Sequence, residues 1–138
     1  MNENLTIPYN YHLCIVGECP MASTCLRQVA FNLGDGATFN VLNPRRLDTT
    51  GKCIHYVKAE KVLYAKGFKG VMDKLPFKVH ERASTYLMAA FSERTYYRIR
   101  KGERLLSPNE QITVRNIITR VGYTEPWEFD AYVEDYLW

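Results

Sequence analysis

The chain has 138 residues, 46% hydrophobic and 24% charged, with a formal net charge of +3. That is the length and composition of one globular domain able to build its own core, and it excludes a disordered or low-complexity chain. No apolar run reaches the roughly 18–20 residues that span a bilayer, and "MNENLTIPYN" lacks the basic-then-apolar pattern of a leader, so a cytoplasmic protein without a membrane role is expected.

In chain order, Pro20 followed by "MASTCLRQVAFNL" predicts a first helix, with proline in its opening turn and Gly34 after its end. Met21, Cys25, Val29 and Leu33 recur every four residues, which places Cys25 on the buried stripe of that helix. "DGATFNVLNP" reads as a turn and a short strand from Thr38 to Leu42, stopped by Asn43-Pro44. "RRLDTTGKC" is a polar loop. "IHYVKAEKVLYAKG" reads as a helix closed by Gly67, with Val57, Leu63 and Tyr64 facing inward.

The second half predicts more helix. "GVMDKLP" is at most a turn. Pro76 opens "FKVHERASTYLMAAF", apolar at Val79, Ala83, Leu87, Ala90 and Phe91. Ser92 caps "ERTYYRIRK", which ends at Gly102. Ser107-Pro108-Asn109-Glu110 combines a capping box with proline at the first helical position, so a helix starts there, carries Ile112, Ile117 and Val121 inward, and stops at Gly122. Thr124 caps a last segment, "EPWEFDAYVEDYLW", read as an amphipathic helix with Trp127, Ala131, Tyr132 and Tyr136 on one stripe. The fold class expected is mainly α: a small helical bundle with a loop-rich N-terminal part and at most a small β element, one domain over 1–138 with portions at 1–67 and 68–138.

Cys14, Cys19, Cys25 and Cys53 are the four cysteines. Four thiolates make a complete tetrahedral set for structural zinc, and their long sequence gaps are no obstacle, since ligands need only meet in space. The spacing is not the paired CxxC of zinc ribbons. An iron–sulfur cluster also takes four thiolates, and His12 or His55 can replace a cysteine. Two other arrangements stay open: free thiols packed as small hydrophobes, and redox or disulfide chemistry.

Charge is unevenly distributed. Lys74 to Arg120 holds ten Lys and Arg against four Glu, whereas Val121 to Trp138 holds five acids and no base. "AAFSERTYYRIRKGERLLSPNEQ" within the basic block resembles a helix-turn-helix. With Tyr96 and Ile99 inward, Arg94, Tyr97, Arg98 and Lys101 share the outward face and can meet phosphates or base edges of nucleic acid. Tyr86 stands where that motif usually has a small residue, and the turn has no glycine. The plainer reading is a solvated face, its arginines paired with Glu93 and Glu103, or a surface for an acidic protein partner.

No phosphate loop, GxSxG, HExxH or comparable motif is present, so no named reaction is indicated and an enzyme is the weakest class. The residues "C…CPMASTCLR", "NP…GKC", "YYR…ER…P…Q" and "FDAYVEDYLW" together resemble a small bacterial family of uncharacterised proteins, a domain of unknown function. The resemblance covers Cys14 to Trp138. It implies that the four cysteines and the Tyr-Tyr-Arg stretch belong to one design, and it transfers no catalytic residue. The expectation is a non-enzymatic protein with a structural zinc at the four cysteines and a basic helix facing nucleic acid. The alternative is a protein-interaction module with free buried cysteines, and an iron–sulfur or redox role comes third.

Overall fold

The computed structural model of the chain describes residues 7–138, so the first part of the leader reading lies outside the described residues. The order of elements is α1 (Leu26–Leu33), a 3₁₀ turn (Pro44–Arg46), β1 (Lys61–Lys66), α2 (Lys69–Lys74), α3 (Phe77–Phe91), α4 (Glu93–Lys101), α5 (Pro108–Arg120) and β2 (Ala131–Tyr136). The chain divides into two compact units, Met1–Glu60 with Tyr136–Trp138 and Lys61–Asp135. Among the described residues, five α-helices and a two-stranded sheet make a small mixed α/β architecture in which helix outweighs strand. No helix among the described residues is long and apolar enough to cross a membrane.

The N-terminal unit is held mainly by irregular backbone pairing. Leu13 bridges Val41 in parallel, and Cys25 bridges Lys58 in antiparallel. Leu26 N–H donates to Val57 O (2.6 Å) and Ala59 N–H to Thr24 O (2.8 Å). These bonds correct the first helix. Thr24 to Leu26 is engaged laterally by residues 57–59, so the helix begins only at Leu26, and Met21–Thr24 forms turns. Cys25 is the extended residue before α1 (φ −83°, ψ 123°), not a position within it. The side of α1 that is buried carries Leu26, Gln28 and Ala30, while Leu33 of the expected stripe is exposed. The strand expected at Thr38–Leu42 reduces to the single bridge at Val41.

The second unit packs α3, α4 and α5 with β1 around Phe68, Leu87, Tyr96, Ile99, Leu106, Val114 and Ile118, all fully buried. Two segments expected as helices are strands. "KVLYAK" half-buries Val62 and Tyr64 between exposed Lys61 and Leu63, the start of an extended alternation, whereas "AYVEDY" shows no alternation in sequence or burial; both carry β-branched and aromatic residues. Leu63 is accordingly exposed rather than inward, and Ala131 and Tyr132 do not belong to a helical stripe. The strands run antiparallel, with Asp130 N–H on Gly67 O at one end and Leu137 N–H on Glu60 O at the other, both 2.9 Å. "KGVMDK" forms the helix α2 rather than a bare turn.

The central helices form where their signals place them. α3 follows Pro76 and buries Ala83 and Leu87, with Val79 and Phe91 half-buried and Ala90 exposed. α5 has a complete capping box at Ser107 and Glu110. Val114 and Ile118 within it and Val121 just after it are buried at helical spacing, Ile117 is half-buried, and Ile112 is exposed.

Candidate metal centre and nucleic-acid interface

All four cysteines line one cavity of the N-terminal unit, together with Met21, Arg27, Gln28, Asp48 and His55. The backbone explains how they meet. Cys14 N–H donates to Arg27 O (3.3 Å), which brings the first loop onto α1. Cys19 closes a turn by accepting Ala22 N–H (3.0 Å). Cys25 precedes α1, and the pairing of 57–59 with 24–26 carries Cys53 back to it. Cys25 is buried, and Cys14, Cys19 and Cys53 are half-buried. The cavity that they line, with Val16, Leu42 and Leu47 also in its wall, has room of about 20 Å³ for a water-sized sphere. No disulfide joins the cysteines. Among the described residues no group of three or more Cys, His, Asp and Glu side chains is placed to hold a metal ion.

Two neighbours escaped the sequence reading. The Arg27 guanidinium donates to His55 O (2.8 Å) and His12 O (2.6 Å), so it clamps the loops beside Cys53 and Cys14. It also lies 4.8 Å from the centre of the Tyr11 ring. Burial raises the pKa of that tyrosine, Arg27 opposes the rise, and Cys25 adds to it. Gln28 is only 6% exposed, and its Oε1 has no hydrogen-bond partner among the described residues. A basic and an amide residue two and three positions after Cys25 were the available signals in "CLRQ", and neither distinguishes a lining residue from a surface one.

The basic helix is built as expected. Ser92 caps it by accepting Thr95 N–H (3.4 Å), and Gly102 ends it in the left-handed conformation (φ 84°). Tyr96 and Ile99 are fully buried, which turns Arg94, Tyr97, Arg98 and Lys101 to solvent. The ion pairs Arg104–Glu110 (3.0 Å) and Arg115–Glu128 (3.1 Å) lie elsewhere in the unit. Among the described residues no acidic side chain pairs with Arg94, Arg98 or Lys101, and Glu93 and Glu103 do not neutralise them.

Arg100 is an unforeseen part of this helix. Its guanidinium lies 5.1 Å from the centre of the Tyr97 ring and 5.4 Å from that of Tyr96, and it donates to the Tyr96 hydroxyl (3.4 Å). The exposed tyrosine is therefore held by a stacked cation rather than left to rotate. Tyr86, the bulky residue at the helix crossing, is half-buried and carries Arg120 over its ring at 4.9 Å.

A small α/β protein with a thiol-lined cavity in one unit and an unneutralised basic helix in the other is the class these sites define. The chain belongs to a family of unknown function, DUF6078, whose model matches residues 1–138. Comparison with curated proteins and with solved structures gave no match.

Proposed function

We propose that this is a non-enzymatic nucleic-acid-binding protein in which α4 sets Arg94, Arg98 and Lys101 against the phosphate backbone, with Tyr97 between them. One observation carries the reading: three cations share a face with no acidic partner among the described residues, on a helix anchored through Tyr96 and Ile99. Unpaired guanidiniums and ammoniums release condensed counterions from phosphates when they bind, a driving force that a face neutralised by its own acids would lack. The stack of Arg100 on Tyr97 supports it too, because a pre-ordered ring loses less entropy on contact.

The test is fluorescence anisotropy with a labelled random-sequence duplex at about 50 mM salt and tens of micromolar protein, conditions where a basic face shows its electrostatic binding. Binding that R94A/R98A abolishes is expected. Absence of binding, or binding that the double variant retains, overturns the reading and favours the protein-interaction module.

A further inference from the structure

We propose that the partner of α4 is a single-stranded nucleic acid, with Tyr97 stacking on an unpaired base while Arg94, Arg98 and Lys101 hold the phosphates beside it; this rests on the reading of α4 as a phosphate-binding face. The first observation is the order of that face. Tyr97 is 39% exposed, and the cations stand at Arg94 before it and at Arg98 and Lys101 after it. At a rise of about 1.5 Å per residue, Arg94 and Lys101 lie about 10 Å apart along the helix, with the ring near the middle. A cationic track interrupted by an aromatic ring suits a flexible strand, because the charges meet its backbone and the ring meets a base.

The second observation is that the ring is held. The Arg100 guanidinium, 5.1 Å from the centre of the Tyr97 ring, donates to the Tyr96 hydroxyl (3.4 Å), which lies 3.0 Å from Ser84 Oγ on α3. The buried Tyr96 ring stands 5.1 Å from that of Tyr97. A ring fixed from behind gives up little freedom when a base stacks on it, and the guanidinium adds a further cation beside the strand. The third observation separates a strand from a duplex. Ser92 alone joins α3 to α4, in place of the three- or four-residue turn with which a helix-turn-helix sets its second helix in the major groove. Bases in a duplex are already stacked on their neighbours, so Tyr97 meets only sugar and phosphate there. An unpaired base offers its face, and stacking on an aromatic side chain is worth roughly 5–150-fold in affinity.

The test is fluorescence anisotropy of the full chain with labelled oligothymidylate, oligouridylate and a duplex of the same length, all at one salt concentration. The expected result is that a single strand binds more tightly than the duplex, the tighter of the two strands separating DNA from RNA. Tyr97→Ala should weaken that strand by roughly 5–150-fold and the duplex by less. Tyr97→Leu keeps bulk without an aromatic face and should behave as Tyr97→Ala does, whereas Tyr97→Phe should stay closer to wild type, a contrast that general damage to the helix would not produce. Equal affinity for strands and duplex, or Tyr97 variants that weaken both alike, overturns the single-strand assignment and leaves the phosphate-binding face standing. Absence of binding to all three probes overturns both.

Discussion

Ser92 joins α3 to α4 at φ 77° and ψ 156°, a region populated almost only by glycine. A serine held there costs about 1–3 kcal/mol of backbone strain. The same residue caps α4, accepting Thr95 N–H at 3.4 Å and donating to Thr95 Oγ1 at 3.2 Å. Substitution by glycine relieves the strain, loses only a few tenths of a kcal/mol as a cap, and costs about 0.4–1 kcal/mol through the freer unfolded chain. Ser92→Gly should therefore stabilise the protein by about 1 kcal/mol. Ser92→Ala keeps the strain and loses the cap, so it should destabilise by about 1 kcal/mol. The two substitutions thus move stability in opposite directions, which urea denaturation at constant slope resolves. If glycine proved no more stable than alanine, the backbone at this turn would not be strained, and the reasoning would fail.

Gly67 (φ 80°) is the site of a second expectation: a Cβ there would lie 2.9 Å from Asp130 Oδ2 and 3.3 Å from Arg100 O, while Asp130 accepts Lys69 N–H (2.8 Å) and Gly70 N–H (3.0 Å). Gly67→Ala and Asp130→Ala should each cost about 1–3 kcal/mol and combine to less than their sum in a denaturation cycle, since both disturb one interaction; additive losses would contradict it. Burial alone would raise the Glu110 pKa, but hydrogen bonds from the Ser107 N–H and Arg104 together with the Arg104 charge outweigh it and leave it below its ordinary 4.5. The stabilisation from Glu110 is thus present above the unfolded pKa and lost as pH falls through the lower folded one, so Glu110→Gln should flatten the acid side of a stability profile; an unchanged slope would refute this. With three phosphate-neutralising cations the affinity for duplex should fall with salt at a logarithmic slope near −2.7, roughly 40-fold between 50 and 200 mM. Arg94→Ala alone should reduce that slope by about one, and a slope insensitive to the substitution would remove Arg94 from the interface.

How legible each part was depended on where the deciding bonds lie. α3, α4 and α5 are bounded by Pro76, Ser92, Gly102 and the Ser107–Glu110 box, each acting within a few residues of itself, so local chemistry was enough to place them. The inward positions Tyr96 and Ile99 followed from the same periodicity. The strands were not legible. Short apolar–polar runs such as "KVLYAK" and "AYVEDY" satisfy a helical or an extended pattern, and the choice is made by a partner strand about seventy positions away. Cys25 shows the same effect at one residue. The spacing of Met21, Cys25 and Val29 is helical, but bonds to 57–59 hold Cys25 extended. At the candidate sites the cysteines and the outward cations could be named from sequence, whereas Arg27, Gln28 and Arg100 act through carbonyls and rings that only the folded backbone brings near.

The acids of the C-terminal segment sharpen the case for α4. A basic block followed by an acidic tail can neutralise itself, and a tail lying over the helix would have argued against a polyanion. Asp130 instead accepts the first amides of α2, and Glu128 pairs with Arg115 and accepts from the Tyr132 hydroxyl, a bond that lowers the Glu128 pKa. Upstream, Glu110 is engaged by Ser107 and Arg104. Each of these carboxylates is committed to a backbone amide, a hydroxyl or an arginine outside α4. Among the described residues Arg94, Arg98 and Lys101 form no ion pair with an acid, so their charge stays available on the outward face of α4.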